Sequence, residues 1–123
     1  MKIVVGGQFD KNEIANDILK ISNNSIQVDI KNDLDAAMAV KNGEYDYYIG
    51  ACNTGGGGAL AMAIALVGAD YCSTLSMPGN IKDDDFIKKE VREGKKAFGF
   101  TAQHRENILP TLIKEIMDYK GGN

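Results

Sequence analysis

Residues 46 to 67 read DYYIGACNTGGGGALAMAIALV, and this stretch joins a strand, a glycine run and a helix. Residues 46–51 (DYYIGA) have the apolar and aromatic composition of a buried strand. Residues 59–67 are apolar nearly all round, which predicts a helix that is buried on most sides. A strand that leads through glycines into such a helix indicates a β-α unit.

The same alternation of short apolar runs and longer helical patterns continues along the chain. Further strands are predicted at residues 3–5, 26–30, 71–75 and 97–100, and the second of them is expected near a sheet edge because one of its faces is polar. Five strands alternating with five helices predict an α/β fold, a three-layer α/β/α sandwich of mostly parallel strands that is Rossmann-like, with right-handed crossovers.

Polar residues with capping chemistry precede three of the predicted helices. Asp10, three residues before Glu13, has the spacing of a capping box. Either Asn32 or Asp33 can cap the second helix, and Thr101 can cap the last one. Residues 77–80 (MPGN) have the composition of a turn.

The size and composition of the chain indicate one globular domain. The chain has 123 residues, of which 44% are hydrophobic and 25% charged. We expect a domain over residues 1–120 and a disordered tail over 121–123. Within the last helix, Pro110 either kinks the axis or begins a second segment.

Several classes of partner and compartment are disfavoured by the sequence. The net charge of -3 comes without a basic run, so nucleic acid is not expected as a partner. No apolar stretch approaches the roughly 20 residues of a membrane span, and the apolar start is too short for a signal peptide, so we expect a cytoplasmic protein without membrane insertion. Cys52 and Cys72 are expected as free thiols, and neither metal nor cofactor is expected.

The glycine run after the third strand predicts an anion-binding site. Glycines allow backbone N–H groups to converge, and the start of the following helix adds a partial positive charge. We expect a phosphate or a carboxylate there, although glycines also occur where a helix packs close to a sheet. The predicted ligand-binding residues are Gly6, Gly7, Asn53, Thr54, Gly55, Gly56, Gly57 and Gly58.

Two familiar nucleotide-binding loops do not fit this run. A Walker-type loop needs Lys and then Ser or Thr after its last glycine, whereas Gly58 is followed by Ala59 and Leu60. A dinucleotide fingerprint belongs after the first strand of a sheet, but this run follows the third. Hydrolysis of nucleoside triphosphates and binding of NAD are therefore not expected.

The ordered segments KIVVG (2–6), NGEYD (42–46) and CNTGGG (52–57) resemble the small ribose-5-phosphate and galactose-6-phosphate isomerases, which have a Cys-Gly-Thr-Gly-x-Gly loop after their third strand. The resemblance implies that Cys52 is a base that moves a proton between sugar carbons. It also implies that Thr54, Gly55 and Gly57 hold the oxyanion or the sugar. The chain departs from that family at residues 8–9 and 76–77, where the isomerases have an Asp-His pair and a His.

A resemblance over nearly the full length is to the YhfU-like proteins, small bacterial proteins of unknown function. It is carried by DYYIGACNTG (46–55), by AFG (97–99) and by His104. The resemblance implies no activity. It implies association with operons that also encode a membrane transporter and metabolic enzymes, and so a transport system as a partner.

His104, Arg105 and Cys52 are the side chains with candidate chemistry near the glycine run. The only histidine, His104, is a candidate general acid or phosphate contact, with a surface histidine as the alternative. Arg105 can pair with an anion or be solvated on a helix face. Cys52 beside a helix start is expected to have a stabilised thiolate and a lowered pKa, or to be a small buried hydrophobe.

Two functions of different class follow from the sequence. In the first, the protein is an isomerase-like enzyme for a phosphorylated sugar or related metabolite, with catalytic residues Cys52 and His104. In the second, it binds an anionic small molecule without turnover, as a cytosolic partner of a membrane transport system. A homodimer is expected in either case, because the isomerases build their sites between subunits and the third helix is unusually apolar.

Overall fold

The computed structural model describes residues 1–53 and 56–121, with the backbone alone for 56–59 and 121. The strands are β1 (Lys2–Gly7), β2 (Gln27–Ile30), β3 (Tyr47–Cys52), β4 (Cys72–Thr74), β5 (Ser76–Met77), β6 (Asn80–Ile81) and β7 (Ala97–Thr101). The helices are α1 (Lys11–Ile21), α2 (Asp33–Lys41), α3 (Gly56–Val67), α4 (Asp84–Arg92) and α5 (Arg105–Gly121).

Five of the strands form one parallel sheet in the order β2-β1-β3-β7-β4. This sheet and its helices confirm the predicted three-layer α/β sandwich, and β2 lies at an edge as expected. The register aligns Gly6, Gly50 and Gly99 in one row across β1, β3 and β7. β5 and β6 form a separate antiparallel hairpin around the predicted turn.

The helices cover the two faces of the sheet and enclose two apolar clusters. On one face, α1, α4 and α5 pack with residues such as Ile14, Ile87 and Leu112 against Ile49 and Phe98. On the other face, α2 and α3 pack with their alanines and Leu60 against the face that carries Tyr48. Each fully buried Ile, Leu or Phe stabilises the fold by about 1.5–3 kcal/mol.

The helix-start signals gave one correct cap and two wrong ones. Asn32 accepts a hydrogen bond from the Asp35 amide and caps α2 as predicted. Asp10 precedes α1 but has a left-handed backbone (φ 56°) and makes no side-chain cap, because its carboxylate binds Arg105. Thr101 does not cap α5, since a 3-10 turn over Ala102–His104 separates them. Pro110 lies inside α5, which is assigned as a single helix.

Helix α3 differs from its prediction at its start and in its burial. It begins at Gly56, so three of the four glycines form its first turn rather than a loop before it. Leu60 and Ala63 are buried, but Met62 and Ile64 are exposed. The prediction of burial on most sides is therefore wrong. Within the described residues, the sheet, α2 and the 3-10 turn at Ala69–Tyr71 pack against the helix and leave its outer face exposed. The exposed apolar face is compatible with a homodimer, which stays a prediction.

Helix α5 ends at Gly121, and residues 122–123 lie outside the described part of the chain. The predicted domain boundary at residue 120 stays a prediction. Within the described residues, no helix combines the length and the apolar character needed to cross a membrane.

Gly7 and Gly43 offer a matched test of how closely β1 and β3 approach. Both have a left-handed backbone, with φ of 78° and 79°. A Cβ on Gly7 would lie 2.7 Å from the Ala51 nitrogen, whereas a Cβ on Gly43 would meet nothing within 4 Å. Gly43→Ala should lower the free energy of unfolding by about 1–2 kcal/mol, from backbone strain alone. Gly7→Ala should lower it by about 1–3 kcal/mol more, from overpacking. Urea denaturation measures both, and equal losses would contradict the close approach.

Candidate functional site

The candidate site lies at the carboxyl edge of the sheet, where β1, β3 and β7 end. The chain leaves β1 for β2 on one side, while β3 pairs with β1 on the other, so the strand order reverses at β1. Ligands of open α/β sheets bind at such a point, outside the carboxyl ends of the strands. Helices α2 and α3 both begin at this edge, because each follows a parallel strand.

Cys52 and Thr101 end two neighbouring strands and face the same helix layer. They are register partners of β3 and β7. Strand alternation places Cys52 on the face of Tyr48 and Thr101 on the face of Ala97, and both of those residues pack with α2 and α3. Cys52 is 1% exposed and Thr101 is 3% exposed. The two side chains therefore lie under the helix layer where α3 begins.

The Thr101 hydroxyl is buried and makes no hydrogen bond to any residue that the structure describes. A buried hydroxyl without a hydrogen bond costs about 1–3 kcal/mol of stability. Such groups are rare in native proteins, and each calls for an explanation, such as a bound water, an ion or a catalytic role. Thr101 is therefore a residue at this edge whose hydrogen-bonding capacity the described part of the fold leaves unused.

A buried network joins Asp33, Tyr48 and Gly7 beside this pair. The Tyr48 hydroxyl donates to Asp33 Oδ1 at 2.6 Å, and the Gly7 amide donates to the same oxygen. The Tyr48 ring covers Gly6 and Gly50, since a Cβ on Gly6 would lie 2.5 Å from its Cε2. Burial, followed by the bond to Asp33, raises the pKa of Tyr48 above its ordinary value. The hydroxyl therefore stays a donor at any physiological pH.

Ser76 connects His104 to the end of β7. The Ser76 hydroxyl accepts from the Thr101 amide at 3.0 Å and lies 2.9 Å from His104 Nδ1. When Ser76 donates to His104, the imidazole is neutral and carries its proton on Nε2. His104 is half-buried at the same edge as Cys52, as the sequence predicted.

Arg105 forms ion pairs with two carboxylates of the same chain. Its Nε lies 2.7 Å from Asp17, and its guanidinium nitrogen lies 3.3 Å from Asp10. The side chain is 23% exposed. Two ion pairs therefore join Arg105 at the start of α5 to α1 and to the residue before α1, and a contact of Arg105 with an anionic ligand stays a prediction.

The structure places most of the predicted ligand-binding residues at this edge. Asn53 is exposed directly after β3, and residues 56–58 form the first turn of α3. The amides of a first helical turn have no partner within the helix, which suits an anion. Thr54 and Gly55 lie outside the described residues. Gly6 and Gly7 have packing roles, and their contact with a ligand stays a prediction.

Sequence reasoning missed the roles of Thr101, Ser76 and Asp33. It took Thr101 and Asp33 for helix caps and saw Ser76 only as a departure from the isomerases. One signal was available, because Gly50 and Gly99 stand inside strand patterns, where glycine often marks a close approach. The described residues contain no group of three His, Cys, Asp or Glu side chains that could hold a metal ion.

Comparison with known proteins assigns the chain to a family over almost its whole length. The model of the family described as "Protein of unknown function DUF2620" matches residues 1–116. The chain belongs to this family. This confirms the predicted membership of a family of uncharacterised bacterial proteins that includes YhfU.

Individual relatives support the same family membership. "Uncharacterized protein YhfU" from Escherichia coli strain K12 is 44% identical over 115 residues, which cover 94% of this chain and 97% of the relative. The proteins of the same description from Escherichia coli O6:H1 and Shigella flexneri match equally well. No solved structure matches the chain. The isomerase resemblance therefore rests on its sequence motif alone.

Replacing Tyr48 with phenylalanine tests the network under the site. At pH 8, Tyr48→Phe should lower the free energy of unfolding by about 1.5–3 kcal/mol, because a hydrogen bond to a carboxylate is lost. Tyr71→Phe, at a half-exposed tyrosine, should change it little. Urea denaturation gives both values.

The Tyr48→Phe variant also tests the raised pKa of Tyr48. A tyrosine whose folded pKa is raised stabilises the fold below its unfolded pKa of about 10, and this contribution is lost as pH rises above that value. Burial raises the pKa of Tyr47 to about 12, so Tyr47 adds to the loss. Between pH 8 and pH 11 the wild type should lose more stability than Tyr48→Phe. An equal loss would contradict the buried hydroxyl.

Proposed function

We propose that this protein binds a small anionic metabolite, with phosphate as the favoured anion, where α3 begins beside Cys52 and Thr101. The observation that carries the proposal is the buried Thr101 hydroxyl, which has no hydrogen-bond partner in the described part of the chain and belongs to the register partner of Cys52. A bound oxyanion would accept from this hydroxyl and from the amides of the first turn of α3. A helix N-terminus carries roughly half a positive charge, which favours an anion there.

The proposed contacts to the anion are backbone amides and a hydroxyl. Arg105, the cation nearest to His104 in sequence, is already paired with Asp10 and Asp17. Neutral donors of this kind suit a small anion with one or two charges better than a polyphosphate. This agrees with the absence of a Walker-type lysine after Gly58.

Thr101→Val tests the anion site. Valine has a similar shape without the hydroxyl, so the variant should be as stable as the wild type or more stable, because an unsatisfied buried group is removed. Its affinity for inorganic phosphate should fall roughly tenfold, the loss expected for one hydrogen bond to a charged ligand. Thermal-shift titration with phosphate measures the loss, since a ligand stabilises the folded state in proportion to RT ln(1 + [L]/Kd).

Thr111→Val is the matched control. Thr111 donates to Asp84 between α5 and α4, on the opposite face of the sheet. This variant should bind phosphate as the wild type does. No shift of the wild type with phosphate, or equal affinities of wild type and Thr101→Val, would overturn the site.

A second candidate function adds proton transfer by Cys52. It is favoured by the position of Cys52 on the helix-covered face at the end of β3, where the α3 N-terminus would stabilise a thiolate. The thiolate would take a proton from the carbon beside a sugar carbonyl and return it to the neighbouring carbon. The amides of α3 would hold the enediolate oxyanion, and His104 would exchange the hydroxyl proton.

Thiol labelling distinguishes this enzyme from a binding protein without turnover. Cys72 is the internal reference, because it lies at the other end of the sheet and burial raises the pKa of its thiol. With iodoacetamide and peptide mapping, half-maximal labelling of Cys52 should occur below the ordinary thiol value of about 8.5, and that of Cys72 above it. Saturating phosphate should slow labelling of Cys52 alone.

Two results would contradict proton transfer by Cys52 without contradicting anion binding. One is a Cys52 labelling profile at or above that of an ordinary thiol. The other is labelling of Cys52 that phosphate does not slow although phosphate binds. In that case the binding function without turnover is the better description. The transport partner rests on the family resemblance alone and stays a prediction.

A further inference from the structure

We propose that Asp33 is the group that recognises hydroxyls on the body of the ligand, so that the site takes a hydroxylated anion such as a sugar or polyol phosphate. This inference rests on the proposed anion site and extends it to the adjoining helix. The sequence named Asp33 only as a candidate helix cap, and the isomerase motif does not include it. Three features support this role for Asp33: its position, its fixed orientation and its charge.

The backbone places Asp33 one strand away from Cys52. Asp33 is the first residue of α2, which begins at the carboxyl edge and packs beside α3. Its Oδ1 accepts from the Gly7 amide, and Gly7 is the register partner of Ala51. Neighbouring strands lie about 4.8 Å apart, so the carboxylate stands next to the end of β3. Asp33, Cys52 and the start of α3 therefore adjoin one another on one face of the sheet.

The Asp33 carboxylate is held in one orientation with one oxygen to spare. Both bonds, from Gly7 and from the Tyr48 hydroxyl, use Oδ1. Among the residues that the structure describes, Oδ2 has no hydrogen-bond partner. The side chain is half-buried, while Tyr48 is fully buried beneath it. A carboxylate that is fixed by buried donors and open on one oxygen is preorganised to accept from a ligand.

The negative charge of Asp33 decides what kind of ligand group it can face. A carboxylate repels a phosphate but accepts strongly from hydroxyl groups. Packed helices lie about 8–10 Å apart, so the starts of α2 and α3 are separated by several bond lengths. A phosphate at α3 and hydroxyls at Asp33 would therefore belong to one molecule with a chain or ring of several carbons.

Asp33 also fixes Gly7, so its test must separate recognition from a structural role. Asp33→Asn suits this purpose, because the amide oxygen can still accept from Gly7 and Tyr48 while the charge is removed. Asp35→Asn is the matched control. Asp35 lies in the same turn of α2, is exposed, and its side chain accepts a hydrogen bond from Asn32.

The experiment measures the affinities of two probes by isothermal titration calorimetry for the wild type, Asp33→Asn and Asp35→Asn. Ribose 5-phosphate carries hydroxyls, and methyl phosphate carries the same head group without them. Asp33→Asn should weaken ribose 5-phosphate roughly tenfold, through loss of charge-assisted bonds. It should leave methyl phosphate equal or tighter, because a negative charge is removed. Asp35→Asn should change neither affinity by more than about twofold.

Three other results would each contradict the recognition of ligand hydroxyls by Asp33, and each has a different meaning. If Asp33→Asn weakens both probes by the same factor, or weakens neither, Asp33 has a structural role alone and the anion site survives. If the wild type binds ribose 5-phosphate no more tightly than methyl phosphate, hydroxyl recognition is excluded. If the wild type binds neither probe, the anion site itself falls, and the proposed function falls with it.

Discussion

The close approach of β1 and β3 at Gly7 is the constraint on which the rest of the site depends. No side chain fits there, because a Cβ would lie 2.7 Å from the Ala51 nitrogen. The approach lets the Gly7 amide reach Asp33 and lets the amides of residues 8 and 9 reach the Ala51 carbonyl. These bonds fix the ends of both strands and the start of α2. Hydrogen bonds therefore link the carboxyl ends of β1 and β3 to each other and to the start of α2.

At the carboxyl edge of the sheet, some polar groups have hydrogen-bond or ion-pair partners within the described part of the fold and others do not. Arg105 pairs with two carboxylates, and the Tyr48 hydroxyl and Ser76 have partners within the fold. The Thr101 hydroxyl and the second oxygen of Asp33 lack them among the described residues. Since a fold tends to satisfy its buried polar groups, the Thr101 hydroxyl is the observation behind the proposed anion site, while Asp33 is half-buried and its second oxygen is the basis of the proposed hydroxyl recognition. One is a donor and the other an acceptor, which suits a ligand with an anion at one end and hydroxyls at the other.

The sandwich and the glycine-led helix followed from the sequence because their signals are local. Apolar runs, helical periods and glycines need only a few neighbouring residues to be interpreted. The roles of Asp10 and Thr101 were misjudged for the opposite reason. Capping chemistry is a local preference, and a partner distant in sequence can override it, as Arg105 does for Asp10. The burial of α3 was also misjudged, because hydrophobicity alone does not say how many elements cover a helix.

The sequence by itself determined the fold class, the family and the position of the glycines at a strand end, since each is written in contiguous residues. Only the tertiary structure decided that Thr101 stands in register with Cys52 and that Asp33 reaches Gly7 across 26 residues. The physical reason is that register and strand order arise from packing between distant segments. A side chain's hydrogen-bond partner is set by that packing rather than by its neighbours in the chain.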